Sequence, residues 1–182
     1  MNVLVDTSVW SLALRRKGHA SHSPWVAVLA DLIHDGRALI MGPVRQELLS
    51  GVRTPDQFDA LREQLRAFPD VELGTGDYEE AASFSNRCRA AGLQGSSVDF
   101  LICAVATRRA LAIFTTDEDF NHYARILPLT LHPKSSEKQA IGVGKDHSAL
   151  PSLRTVWAVL PRTALQSVVS SSGLARQDKG VI

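Results

Sequence analysis

The sequence lacks the features that identify several large classes of protein. Its 182 residues include two cysteines in no CxxC or cysteine–histidine spacing, so neither a disulfide framework nor a structural zinc site is predicted. No run approaches the roughly 18 consecutive apolar residues that span a bilayer, and the N-terminus shows no secretion signal. We therefore expect a cytoplasmic protein with no membrane partner.

An excess of positive charge is also missing. The chain has 20 Lys and Arg residues against 19 Asp and Glu residues, a net charge of +1, so its overall charge does not indicate nucleic-acid binding. The balance is uneven, because residues 1–132 carry a net charge of −3 and residues 133–182 a net charge of +4. The second segment is rich in Ser, Lys, Gly and Gln, and we expect a partly disordered extension there, after a main domain at 1–132.

Motifs for nucleotide cofactors are absent as well. The chain contains neither GxGxxG nor GxxxxGK[ST], so neither a dinucleotide site nor a P-loop is supported. The run Asp6-Thr7-Ser8 lacks the second aspartate of the haloacid-dehalogenase phosphatases. Any catalytic chemistry must therefore rest on other side chains.

Short apolar runs alternate with amphipathic stretches along residues 1–132. The runs are typical of buried strands, and the stretches, several of which follow Pro, Ser or Thr, are typical of helices. The predicted strands are residues 3–5, 38–41, 111–115 and 129–131, with a short strand or turn within 69–74. The predicted helices follow Thr7, begin near Pro24 and Pro43, and cover 55–67, 77–91 and 98–107. This alternation predicts an α/β fold in which a parallel sheet carries helices on both faces.

Two aspartates follow predicted strands. Asp6 comes directly after the first strand, and Asp117 comes just after the strand that ends at Thr115. Because open α/β sheets bind ligands at the carboxyl ends of their strands, both carboxylates are candidates for a functional site. The alternative is that each caps a helix or interacts with its dipole, and this alternative carries equal weight for Asp117 and Asp119.

Two further acids lie on apolar helices. Glu47 shares a helix face with Leu48, so its carboxylate is expected to point inward or along the boundary of the core. Asp99 begins a helix that is apolar on every side, and burying a carboxylate is costly unless it is paired or coordinates a metal. The alternative for Asp99 is a stabilising acid in the first helical turn after Ser96.

These four acids lack a matching set of inward basic residues. They therefore predict one oxygen-rich cluster for a hard divalent cation, Mg²⁺ or Mn²⁺. Clustered carboxylates repel one another unless a cation is bound, and proteins use them mainly for in-line displacement at phosphorus. Thr7 or Ser8 is placed to orient the Asp6 carboxylate.

Four segments carry a family resemblance. They are VLVDTSVW at 3–10, GPVRQELLSG at 42–51, SVDFLICAVA at 97–106 and FTTDEDF at 114–120. In this order and spacing they resemble the PIN-domain ribonucleases, in particular the VapC-type toxins of bacterial toxin–antitoxin pairs, over residues 1 to 132.

The resemblance implies an α/β/α sandwich around a parallel sheet and an endoribonuclease that uses Mg²⁺ or Mn²⁺. It implies catalytic roles for Asp6, Glu47, Asp99 and Asp117, and cation binding by Asp6, Asp99, Asp117 and Asp119. Metal-activated water would attack the scissile phosphate and leave a 5′ phosphate and a 3′ hydroxyl. Toxins of this kind form homodimers, and a cognate antitoxin holds them inactive.

RNA binding by a domain with a net charge of −3 needs local cations. We expect them from Arg15, Arg16 and Lys17 after the first helix, and from Arg45 beside Glu47. For the first three, a solvated helix end is an equal alternative. Trp10 and Trp25 are expected to pack in the core or at a dimer interface rather than to stack on bases.

Two other functions are compatible with the pattern. One is a non-catalytic α/β module that binds a partner protein and uses its acids as helix caps. The other is a structure-specific DNA nuclease, against which the lack of a helical arch or helix-hairpin-helix candidate argues. The resemblance does not extend to residues 133–182, for which we expect contacts with a partner, or no function, rather than an RNA-binding arm.

Overall fold

The structure, a computed structural model, describes residues 1–14 and 23–134, and in them short strands alternate with helices. The strands are β1 (Val3–Val5), β2 (Ala38–Met41), β3 (Asp70–Val71), β4 (Ala112–Phe114) and β5 (Thr130–Leu131). The helices are α1 (Thr7–Leu14), α2 (Pro24–His34), α3 (Gly42–Ser50), α4 (Pro55–Leu65), α5 (Thr75–Ala90), α6 (Ser97–Arg108) and α7 (Asp119–Tyr123). Each predicted strand and helix is present, with ends shifted by a few residues.

The strands form one parallel sheet in the order β3-β2-β1-β4-β5. β1 lies in its centre, where Val3 pairs with Ala38 of β2 and Val5 pairs with Phe114 of β4. From β1 the chain builds the sheet to one side as far as β3, and it then crosses β1 to form β4 and β5. The carboxyl ends of β1 and β4 therefore meet at a topological switch point, where open α/β sheets bind ligands.

Helices cover both faces of this sheet. Helix α1 contacts α2 and α3, and α3 contacts α4, whereas α5 packs on α6. Because connections between parallel strands are right-handed, the reversal of direction after β3 places α5 and α6 on the face opposite the first group. The resulting three-layer α/β/α sandwich confirms the predicted fold class.

The hydrophobic core lies between the sheet and these helices. Trp10 is fully buried and packs edge-on against Phe68, with ring centroids 5.1 Å apart, so the predicted core position of Trp10 is confirmed. Cys88 and Cys103 are buried too, and burial raises the pKa of both thiols. Neither cysteine is therefore set up as a thiolate nucleophile.

A buried ion-pair network joins α5 to the end of α6, and the sequence pattern does not predict it. Asp77 is 3% exposed and accepts hydrogen bonds from Arg109 Nη1 at 2.8 Å and Arg108 Nε at 3.0 Å. Its Oδ2 accepts from the N–H of Gly74 at 2.9 Å, and this hydrogen bond caps the start of α5. The Arg109 guanidinium is the main cause that holds the pKa of Asp77 well below its usual range. Because both carboxylate oxygens are paired, this acid stabilises the α5–α6 pair and is not left free for a ligand.

Two of the sequence predictions concern residues outside the described part of the chain. Arg15, Arg16 and Lys17 fall within residues 15–22, and almost all of the extension predicted at 133–182 lies beyond Lys134. Both stay predictions. Across residues 1–14 and 23–134, none of the helices has the length and apolar character that crossing a bilayer requires.

Candidate active site

The site is built around the carboxyl ends of β1 and β4. The backbone N–H of Asp6 donates to the carbonyl of Phe114 at 3.0 Å, which extends the pairing of the two strands by one step. Thr115 follows Phe114 directly and Asp117 comes two residues later, so both follow the end of β4 beside Asp6 at the switch point. This register brings the two aspartates predicted from strand ends to one edge of the sheet.

Asp6 is the most buried acid of the site, with 5% of its surface exposed. Its Oδ2 accepts hydrogen bonds from Ser8 Oγ at 2.6 Å and from Thr115 Oγ1 at 2.8 Å. In the part of the chain that the structure describes, Oδ1 of Asp6 receives no hydrogen bond. One oxygen is therefore fixed by hydroxyl groups, and the other is left available to a ligand that binds carboxylate.

Thr115 holds two acids at once. Besides donating to Asp6, its Oγ1 accepts from the N–H of Asp117 at 3.0 Å. Of the two residues predicted to orient Asp6, Ser8 does so, whereas the hydroxyl of Thr7 donates to Glu47 Oε2 at 2.5 Å. The sequence pattern does not single out Thr115. The signal that identifies it is the pairing of β4 with β1, which sets the residue after Phe114 beside Asp6.

Asp99 lies in the first turn of α6 and forms the cap that the sequence allowed, while its role as a cation ligand stays a prediction. Its Oδ2 accepts from the N–H of Ser96 at 2.8 Å, while its own N–H donates to Ser96 Oγ at 3.1 Å, so the two residues form a capping box. Asp99 is also half-buried. Burial is the main cause that raises its pKa, and the charges of Asp6 and Asp117 raise it further. Asp99 therefore caps α6 while facing the other two carboxylates.

Glu47 lies on α3 at the boundary of the core. Its side chain is exposed, while Val44 and Leu48 beside it are buried. This matches the expectation of an acid along the core boundary. The hydrogen bond from Thr7 ties Glu47 to the residue that follows Asp6, so α3 delivers a fourth carboxylate to the same edge.

Asp117 lies on the exposed turn between β4 and α7, and Asp119 is the exposed first residue of α7. Oδ1 of Asp117 accepts from the N–H of Asp119 at 2.9 Å, so Asp117 also stabilises the start of α7. The carboxylates of Asp99, Asp119 and Asp117 all raise the pKa of Tyr123, although burial is the larger cause. The Tyr123 hydroxyl donates to the carbonyl of Gln94 at 2.8 Å, which ties α7 to the loop before α6.

The donor set fits a hard divalent cation in its chemistry. It consists of carboxylate oxygens, and Asp6 Oδ1 is free of hydrogen-bond donors among the described residues. Within residues 1–14 and 23–134, no three acidic, histidine or cysteine side chains are already drawn together closely enough to enclose a metal ion. Burial raises the pKa of Asp99, and the charges of Asp6 and Asp117 raise it further, so a bound cation would relieve repulsion among these acids.

Arg45, one of the predicted RNA-binding residues, is engaged elsewhere. Its Nη2 lies 2.9 Å from Asp70 Oδ1, its Nε donates to the same carboxylate, and Nη2 also donates to the carbonyl of Phe68 at 2.5 Å. Arg45 therefore ties α3 to β3. Its proposed contact with RNA stays a prediction.

We predict that Thr115→Val lowers about tenfold any catalytic activity that depends on the Asp6 carboxylate, because a group that orients a functional carboxylate typically contributes that much. Valine keeps the shape of threonine and removes the hydroxyl that holds Asp6 and Asp117. Thr116→Val is the matched control, since only the backbone N–H of Thr116 contributes, through its bond to Ser8 Oγ at 3.1 Å. Equal activity of both variants would contradict the role of Thr115.

Comparison with known proteins identifies the family. The family model of the PIN domain matches residues 3–126. The chain belongs to the PIN domain family. It is also 33% identical over 89 residues to Ribonuclease VapC6 of Mycobacterium tuberculosis, an alignment that covers 47% of this chain and 70% of that protein. The predicted family is thus confirmed.

Solved structures of two VapBC proteins share the fold. The chain superposes with a TM-score of 0.59 on VapBC2 from Rickettsia felis bound to a DNA fragment from its promoter, at 17% identity, over 72% of this chain and 98% of that one. It superposes with a TM-score of 0.52 on VapBC-5 from Mycobacterium tuberculosis, a member of the VapBC family of toxin–antitoxin systems, at 22% identity, over 72% of this chain and 98% of that one. At these identities the likeness establishes the fold alone.

Proposed function

We propose that this PIN protein is an Mg²⁺- or Mn²⁺-dependent endoribonuclease that acts as the toxin of a toxin–antitoxin pair. One observation carries the proposal. At the β1/β4 switch point Thr115 hydrogen-bonds to both Asp6 and Asp117, the charges of these two acids act on Asp99, and Asp6 Oδ1 has no hydrogen-bond donor among the described residues. The relationship to a protein named as a ribonuclease supports RNA as the substrate.

Asp6, Asp99, Asp117 and Asp119 would hold the cation in this proposal. When bound, the cation activates water and neutralises charge on the leaving oxygen of a phosphodiester. Ser8 and Thr115 keep Asp6 in one orientation through their hydrogen bonds to Oδ2. Glu47 is exposed and bonded to Thr7 only through Oε2 among the described residues, so its Oε1 can accept a proton from the attacking water.

A cognate antitoxin, a homodimeric state and a cytoplasmic location belong to the same proposal. The likeness to VapBC-5, a toxin–antitoxin protein, supports the first of these. The exposed carboxylates of Glu47, Asp117 and Asp119 at the open edge of the sheet provide a surface that a basic segment of such a partner can cover.

Incubating the antitoxin-free protein with RNA tests this proposal. Purified protein is mixed with total RNA or transfer RNA in Mg²⁺, Mn²⁺ or EDTA, and with single-stranded and duplex DNA under the same conditions. Discrete RNA fragments with 5′ phosphates that appear only with a divalent cation support the proposal. Cleavage of DNA instead would favour a DNA nuclease, and no cleavage with either cation would favour a module that only binds a partner protein.

A further inference from the structure

Trp25 belongs to a small aromatic cluster next to the acidic site, in which Phe114 is buried and Trp25 and His132 are partly exposed. Its ring centroid is 5.3 Å from that of Phe114, the residue whose carbonyl accepts from the N–H of Asp6. The ring of His132 packs edge-on against the ring of Phe114, with the ring centroids 5.3 Å apart. Trp25 is partly exposed, unlike the fully buried Trp10. We call Trp25, Phe114 and His132 the Trp25 platform.

Lys134 lies over this platform and beside the acids. Its Nζ is 5.5 Å from the centroid of the Trp25 ring and donates to Glu118 Oε1 at 3.2 Å. The side chains of Lys134 and Glu118 are 65% and 69% exposed. Exposed ion pairs and exposed cation–π contacts each contribute little to stability. Lys134 can therefore exchange Glu118 for a phosphate, and uncover the Trp25 ring, at little cost.

We propose that Trp25 stacks on one base of a single-stranded RNA while Lys134 binds a neighbouring phosphate of the same strand. This inference rests on the proposed ribonuclease function and names how the substrate is held. Sites for single strands combine aromatic rings, on which bases stack, with cations that follow the backbone. The Trp25 platform and Lys134 supply both elements next to the carboxylates of the site.

Lys134 supplies the cation that an RNA ligand needs beside the acidic site. A carboxylate cluster repels the RNA backbone, so a substrate needs a cation close to the site. Arg45 is engaged by Asp70 and Phe68, whereas the exposed Lys134 is held by one exposed carboxylate. Lys134 reaches Glu118, the residue after Asp117, so one strand can touch both Lys134 and the acidic edge.

Binding of a short fluorescein-labelled single-stranded RNA, measured by fluorescence anisotropy, tests the inference. All proteins carry Asp99→Asn and are measured in Mg²⁺, so that the RNA stays intact. Trp25→Leu is expected to weaken binding about tenfold and Trp25→Phe less, because a phenyl ring still stacks. Lys134→Ala is expected to weaken binding and to lower the salt dependence by about one counterion. The matched control is Phe58→Leu, since Phe58 also lies against a cation, Arg62 at 5.9 Å, but on the surface of α4.

Each result separates this inference from the proposed function. If binding depends on Trp25 and Lys134 but the native chain does not cleave RNA, the inference holds and the catalytic proposal fails. If the native chain cleaves RNA and Trp25→Leu and Lys134→Ala bind it like their parent, the inference alone fails. Loss of antitoxin binding with unchanged RNA binding would assign the platform to the partner protein and overturn the inference. Thermal unfolding of each variant confirms that it is folded.

Discussion

Replacing Asp99 with asparagine abolishes cation-dependent RNA cleavage and leaves the protein folded. We expect the rate to fall about a hundredfold or more, because a correctly held divalent cation supplies several kcal/mol of transition-state stabilisation. Asparagine keeps the size of the side chain and an oxygen that can accept from the N–H of Ser96, so the capping box survives. The measurement is the rate of RNA cleavage in Mg²⁺ by the native chain and the variant.

Stability separates the ligand role of Asp99 from a purely capping role. Burial, with the charges of Asp6 and Asp117, raises the pKa of Asp99, so its charged form is less favourable in the folded chain than in the unfolded one. Removing the charge should therefore leave the thermal midpoint in EDTA unchanged or higher. Asp56→Asn, which changes an exposed acid in the first turn of α4, is the matched control and should keep full activity. A lower midpoint with unchanged cleavage would mean that Asp99 is only a cap.

The largest loss of stability is expected from Asp77→Asn. This change leaves Arg108 and Arg109 facing a neutral side chain that is 4% exposed. Breaking a buried ion pair costs about 3 to 5 kcal/mol. Because the two guanidinium groups are 48% and 33% exposed, we expect the lower end, about 3 kcal/mol, in the free energy of unfolding by urea. Asp59→Asn, which removes an exposed ion pair to Arg62, is the control and should cost about 0.5 kcal/mol or less.

The contribution of Asp77 should also depend on pH. Its pKa is held below the ordinary value of 3.8, so folding is favoured while the carboxylate is charged. The stabilisation is fully present above the unfolded pKa and declines as the pH falls through the folded pKa. The difference in unfolding free energy between the native chain and Asp77→Asn should therefore be large near pH 7 and smaller near pH 3. A difference that does not change with pH would contradict this assignment of the ion pair.

Much of the fold and of the acidic site follows from local sequence patterns. β-branched apolar runs identify the strands, and the position of Asp6 directly after β1 places it at the carboxyl edge of a parallel sheet. The apolar composition of α6 correctly indicates a buried helix, with every residue from Phe100 to Ala106 buried. Such features depend on residues close together in the chain, so a single sequence reveals them.

Features that depend on pairing between distant segments could not be predicted in this way. Thr115 reaches Asp6 only because β4 pairs with β1, and Asp77 meets Arg108 and Arg109 only because α5 packs on α6. The same limit applies to Arg45, whose position beside Glu47 in the sequence suggests a role in the site. The packing of α3 against β3 instead turns its guanidinium to Asp70.

Binding of Mn²⁺ in the absence of RNA is the direct test of whether the acids at the β1/β4 switch point hold a divalent cation. Isothermal titration calorimetry would compare the native chain with Asp6→Asn, Asp99→Asn and the control Asp56→Asn. We expect saturable Mn²⁺ binding by the native chain and by Asp56→Asn. We expect Asp6→Asn and Asp99→Asn to bind Mn²⁺ at least about tenfold more weakly. Absence of saturable binding by the native chain, or equal affinity in all four proteins, would contradict this expectation.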